Sequence, residues 1–217
     1  GVPSSCKVNY YQNFAFSGTS LDSSGHGTNV SGIVVGVAPQ ARVAGLNVFG
    51  ANSTTTDSRI ISAINWAIAN QSTYNIVAIN MSLGDGINHG YRCDNTPYDT
   101  PTLNARVAGV VVVVAAGNDG FTNGVSSPAC VWDVYAVGAV YSANIGAASF
   151  VPCSDASTAA DQITCFSNFT PGFAGQPKYI MAPGVNQTAG GYTFSGTSQA
   201  TPYVSGAIAI LRSAVPS

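Results

Sequence analysis

The run Val110-Val111-Val112-Val113-Val114-Ala115 constrains this chain more than any other feature. It is β-branched almost without interruption, with Gly109 before it and Gly117 shortly after. β-Branched side chains are stiff at χ1 and favour extended backbone. A strand with one wet face alternates apolar and polar residues. This one does not, so both of its faces must be covered. Such strands belong to parallel sheets with helices packed on each side.

The middle of the chain supplies the partners. Residues 42–49, 76–81, 134–140 and 178–181 read as further strands. Residues 57–70 read as a helix, because Ile60, Ile61, Ile64, Ala67 and Ile68 recur at the 3.6-residue period. Residues 101–108 read as helical, and residues 198–212 as a helix with Val204, Ala207, Ile208 and Leu211 facing inward. The expected fold class is therefore α/β: a three-layer, doubly wound, mostly parallel sheet. Active sites in such folds lie at the carboxyl ends of the strands. Residues 119–130 and 143–175 are loop-rich and are expected as surface insertions. No repeat, low-complexity tract or linker divides residues 1–217, which are expected to form a single domain.

Composition narrows the function classes. At 217 residues, 46% hydrophobic and only 7% charged, the chain can bury a core and is not of the disordered type. The net charge is -2 and no basic cluster occurs, which argues against nucleic acid as a partner. The longest apolar run, 108–116, is interrupted by Gly109 and is too short to cross a bilayer. No signal-peptide pattern opens the chain, so residue 1 is expected to be a processing site or a cut. The five cysteines form no C-x-x-C pair, which argues against a zinc ribbon or a thioredoxin-type motif. Few charges and spaced cysteines fit an oxidising, extracellular setting, and sequons at Asn52, Asn70, Asn168 and Asn186 are compatible with secretion. No metal site is expected, since no Asp cluster has calcium-ligand spacing. No cofactor is expected either.

Three strings carry chemistry. In Gly25-His26-Gly27-Thr28-Asn29-Val30-Ser31-Gly32-Ile33 a histidine between glycines opens a helix-like run. Alone, it also reads as a surface histidine at a helix start. In Phe194-Ser195-Gly196-Thr197-Ser198-Gln199-Ala200-Thr201-Pro202 a serine enters a helix, near unpaired N–H groups and the positive end of the helix dipole. Those groups suit an oxyanion, although capping is a common task for such a serine. In Ala115-Ala116-Gly117-Asn118 an asparagine ends the valine strand, where turn composition is the alternative reading. His89 lies in a polar loop and reads as a surface residue.

Taken together and in this order, the strings resemble the His, Asn and Ser blocks of the subtilisin family of serine proteases. Gly-Thr-Ser-x-Ala-x-Pro is that family's nucleophile signature, and His-Gly-Thr-x-Val-x-Gly-Ile is nearly as specific. Ser82-Leu83-Gly84 looks like its substrate-binding segment, and Ala182-Pro183-Gly184 like the stretch before the nucleophile block. The resemblance implies a serine endopeptidase with a subtilisin-like fold. Ser198 would be the nucleophile, His26 the general base, and Asn118 with the Ser198 N–H the oxyanion donors. Ser82, Leu83 and Gly84 would bind substrate as an added strand. Ala115, Ala116 and Gly117 would line a pocket of small uncharged residues, which suggests apolar-leaning selectivity. It further implies polypeptide substrates, an inhibitory propeptide as a candidate partner, no membrane, and a monomer. Disulfides Cys93–Cys130 and Cys153–Cys165 are expected, with Cys6 left over.

The family's triad aspartate sits in an Asp-Ser/Thr-Gly-Val/Ile string, whereas this chain opens Gly1-Val2. The acid is expected two positions upstream of Gly1, which makes residues 1–217 a partial catalytic domain, weak or inactive alone. Asp22, four residues before His26, is not expected to be the orienting acid. The alternative function is an inactive subtilisin-like fragment or pseudoprotease that grips peptides. A nucleotide-binding domain fits poorly, because Gly117-Asn118-Asp119-Gly120 is not Gly-x-Gly-x-x-Gly. An α/β-hydrolase fits poorly because Ser198 lacks the Gly-x-Ser-x-Gly elbow.

Overall fold

The computed structural model describes residues 6–15, 22, 24–50, 52–170 and 178–215. Gly1-Val2 and the end of the 143–175 stretch lie outside the described residues. In chain order the elements are β1 (Val8–Asn13), α1 (His26–Val37), β2 (Val43–Asn47), α2 (Asp57–Ala69), α3 (Gln71–Tyr74), β3 (Ala78–Met81), α4 (Asp99–Val107), β4 (Val111–Ala115), β5 (Tyr135–Val140), β6 (Ala148–Ser149), β7 (Ser154–Asp155), β8 (Lys178–Pro183), β9 (Gln187–Ala189), β10 (Tyr192–Phe194) and α5 (Thr197–Ala214).

The valine run is a strand covered on both faces. Val112 and Val114 pack into one core with Ile60 and Ile64 of α2 and Ala105 of α4. Val113 points the other way, into a second core with Val137, Ala139, Ala182, and Ala200 and Val204 of α5. Val112, Val113 and Val114 are at most 1% exposed. Alternation along one strand thus divides the molecule into helix, sheet and helix layers.

The central sheet runs β3-β4-β5-β8 and every pairing is parallel. β1 and β2 form a separate parallel pair. Among the described residues β2 and β3 each keep one edge with no strand partner. Both nevertheless send side chains into the same core: Leu46 and Val48 from the β2 side, Ile79 and Met81 from the β3 side. Two antiparallel hairpins, β6-β7 and β9-β10, complete the pairing.

Three expectations change. Residues 119–130 are not a surface insertion. Val125, Ser126, Ala129 and Cys130 are at most 2% exposed, because this segment packs behind the end of β4. Within 143–175, Phe166 and Asn168 are likewise buried. On α5, Leu211 is 65% exposed and Ala207 is exposed too. Val204 is buried as expected and Ile208 packs at the edge of the core, but the rest of the inward face is Thr201, Ser205 and Gly206. The reason is close packing: a Cβ on Gly206 would lie 2.7 Å from Val37 Cβ of α1, so only small residues fit there. Both expected disulfides are present, Cys93–Cys130 and Cys153–Cys165, and Cys6 is a free thiol.

Candidate active site

The residues at the sheet's carboxyl end converge. β3 ends at Met81 and delivers Ser82. β4 ends at Ala115 and delivers Asn118. α5 begins at Thr197, placing Ser198 in its first turn.

Ser82 and Ser198 exchange hydrogen bonds. The Ser82 hydroxyl donates to the Ser198 carbonyl at 2.7 Å, and the Ser198 hydroxyl donates to the Ser82 carbonyl at 3.4 Å. The first bond has a cause in the sequence. In a helix the Ser198 carbonyl would accept from the N–H of residue 202, and residue 202 is proline, which has none. Ser82 fills the vacancy, and Asn80 in turn donates to the Ser82 hydroxyl at 3.0 Å. The Ser205 hydroxyl donates to Asn80 Oδ1 at 3.0 Å, tying the serine's helix to β3 a second time.

Asn118 is held by Thr197. Its Oδ1 accepts from the Thr197 N–H at 2.8 Å and from the Thr197 hydroxyl at 3.0 Å. That hydroxyl also accepts from the Gly117 N–H at 3.1 Å. With its oxygen fixed in this way, the Asn118 carboxamide must turn Nδ2 outward. Asn118 is exposed, and Nδ2 has no partner among the described residues. The Ser198 N–H, at the open end of α5, has none there either. Neither donor is therefore paired among the described residues.

His26 starts α1, and Gly25 makes the turn into it. Gly25 has φ 72°, and any Cβ there would overlap the Tyr192 ring. The imidazole is half-buried, 6.3 Å from the Phe194 ring centroid to centroid. Burial pushes its pKa below 6.5, and the charge of Asp22 offsets this in part. Among the described residues no carboxylate pairs with the His26 ring, and no hydrogen bond joins it to Ser198. Asp22 is occupied elsewhere. Its carboxylate accepts from the Thr28 N–H at 2.6 Å and the Ser24 hydroxyl at 3.1 Å, capping α1 from outside. Burial alone would raise the Asp22 pKa, but the Thr28 and Ser24 donors outweigh it and the net shift is downward.

The 82–84 and 115–117 segments both approach Ser126. A Cβ on Gly84 would lie 3.1 Å from Ser126 Cβ, and one on Gly117 would overlap Asn168 and Ser126. Leu83 packs at the edge of the larger core, while Ala115 and Ala116 are buried. Asn168, fully buried, donates to the Ala116 carbonyl at 3.1 Å, to Asp119 and to Ser126. Its sequon is therefore occupied by packing. His89 does more than face solvent: it pairs with Asp85 at 2.8 Å, and Asp85 Oδ1 accepts from the Ser127 N–H at 3.0 Å. A His89 ring nitrogen lies within 4.8 Å of the sulfurs of Cys93 and Cys130, but these are bonded to each other and offer no thiolate.

Sequence reasoning missed Thr197, Asn80 and the double role of Ser82. One signal was available: a proline four residues after the serine announces a carbonyl that needs an outside donor.

A sequence profile of the Subtilase family matches residues 4–217. The "Extracellular serine proteinase" of Thermus sp. (strain Rt41A) is 34% identical over 204 residues, which cover 89% of this chain and 42% of that protein. "Subtilisin" of Bacillus pumilus is 35% identical over 212 residues, covering 90% and 66%. "Alkaline protease 1" of Aspergillus oryzae is 34% identical over 206 residues, covering 88% and 44%. The chain thus spans less than half the length of the Thermus and Aspergillus relatives. Among solved structures, a cold adapted subtilisin-like serine proteinase superposes with a TM-score of 0.70 at 28% identity, covering 94% of this chain and 68% of that one.

Proposed function

Because the chain belongs to the Subtilase family, we propose that it carries the nucleophile, base and oxyanion donors of a secreted serine endopeptidase. Ser198 Oγ attacks a peptide carbonyl and its proton passes to His26. The oxyanion settles between the Ser198 N–H and Asn118 Nδ2. His26 returns the proton to the leaving amine, and water then releases the acyl group from Ser198. The observation that carries this reading is the Thr197 clasp on Asn118 Oδ1, which leaves Nδ2 as a ready donor. Residues 82–84 offer a backbone edge for an extended polypeptide, and 115–117 the wall of a pocket for its side chain. The two disulfides, and a Thermus relative named an extracellular serine proteinase, support an extracellular site of action.

The acid that orients His26 is not among the described residues. We place it on a further strand parallel to β2 and β3 and between them. Among the described residues both strands have an open edge, and both pack into one core with α2. Unpaired edges in the middle of a parallel sheet are costly, so a strand there would complete the ladder. A second reading, a peptide-binding domain without turnover, draws on the Ser198 hydroxyl donating to Ser82 and not to His26.

A fluorophosphonate probe separates the two. Labelling of Ser198 in the chain as its own gene encodes it, lost in Ser198→Ala and slowed in His26→Ala, is the expected result. Peptide binding with Ser198 unlabelled would establish the second reading.

A further inference from the structure

The His and Ser blocks each contain positions that the signatures leave open, and two of these, Asn29 and Gln199, are carboxamides buried against each other. Asn29 is 0% exposed and lies three residues after His26 on α1. Gln199 is 2% exposed and follows Ser198 on α5. Gln199 Nε2 donates to Asn29 Oδ1 at 3.2 Å, across 170 residues of sequence. Asn29 Nδ2 donates to the carbonyls of Gln187 at 3.0 Å and Tyr192 at 2.9 Å, with Ala189 at 3.4 Å, all in the β9-β10 hairpin. The Asn29 carboxamide is thus satisfied on both its oxygen and its nitrogen. Gln199 also borders Gly196, whose Cβ, if present, would lie 3.1 Å from Gln199 Oε1.

Among the described residues no other side-chain hydrogen bond joins α1 to α5. Gly206 meets Val37 through small apolar surfaces, which attract but do not fix rotation or sliding. A buried hydrogen bond does fix them, because moving either helix leaves a desolvated amide without a partner. His26 and Ser198 share no hydrogen bond of their own among the described residues, so their spacing must be set by the scaffold that carries them.

We propose that the Asn29–Gln199 bond is the pin that sets the distance between His26 and Ser198. Both are positioning residues, buried and out of reach of substrate, and act on the reaction only through their neighbours. The inference rests on the peptidase reading above.

The test uses the full-length chain and the variants Asn29→Ala, Gln199→Ala, Gln199→Met and the Asn29→Ala/Gln199→Ala double. Each is measured for peptide hydrolysis, for the rate of fluorophosphonate labelling, and for thermal midpoint. Rates are normalised to the folded fraction. Misplacement of about 1 Å at such a site costs roughly 100-fold. We expect each single variant to lose about 10- to 100-fold in kcat and labelling rate with KM within about twofold. The double should be no slower than the slower single, since both remove one bond. Gln199→Met keeps the side-chain length, serves where an alanine variant fails to fold, and should match Gln199→Ala in kcat.

Variants that lower only the thermal midpoint, with parental kcat and labelling per folded molecule, would overturn the pin. So would losses that multiply independently in the double. A parent chain that the probe does not label overturns the peptidase reading itself, and the pin with it, which is a distinguishable outcome.

Discussion

A histidine serves as a base only when neutral, and the pKa of His26 is set by two opposing effects. Burial lowers it below 6.5, and the negative charge of Asp22 raises it in part. Activity should therefore be present above the folded pKa and fall as pH drops through it, with the acid-limb midpoint at that pKa. Asp22→Asn keeps an oxygen for the Thr28 N–H but removes the charge, so the midpoint should move lower still. A rise on that substitution, read from the pH profile of kcat/KM, would show that Asp22 does not act on His26 through its charge. Ser82 is the other residue whose chemistry is set by one neighbour. Because Pro202 has no N–H, Ser82→Ala leaves the Ser198 carbonyl without its 2.7 Å donor. The expected cost is about 1–2 kcal/mol in denaturant unfolding, together with slower labelling of Ser198.

At the scale of elements, the ends of strands and helices matter more than their middles. The segment after β3 is fastened to the segment before β5 at several points. Asp85 accepts from the Ser127 N–H, His89 pairs its backbone with Val125, and Cys93 is bonded to Cys130. The two disulfides close loops of different size, with sequence separations of 37 and 12. Loop entropy assigns them about 4 and about 3 kcal/mol. Replacing Cys93 and Cys130 by alanine should thus destabilise more than replacing Cys153 and Cys165, by about 1 kcal/mol in urea unfolding. An equal or reversed order would mean that the 82–93 segment is held mainly by its hydrogen bonds.

On the scale of the whole molecule, β4 is paired on both sides and covered on both faces, whereas among the described residues β2 and β3 each keep an open edge. Amide hydrogen exchange should reflect this. For the 217-residue chain, the amides of Val112, Val113 and Val114 should be the slowest to exchange. Those of β2 that face away from β1 should exchange much faster. Uniform protection across β2, β3 and β4 would mean that the free edges of β2 and β3 are covered by something other than a strand partner.

What the sequence determined by itself was local and contiguous. The valine run required a strand buried on both faces, the isoleucine spacing required α2, and three short strings singled out His26, Asn118 and Ser198 as the candidates. These could be read because each depends on neighbours a few residues away. The buried face of α5, the interior place of residues 124–130, and the acceptor role of Asn118 Oδ1 could not. Each depends on which small residue, amide or hydroxyl from a distant segment comes to lie opposite. The bonds that shape the site join residues 79, 116 and 170 positions apart. Only the tertiary structure decided those, because hydrogen bonds are directional and a pattern of hydrophobicity carries no direction.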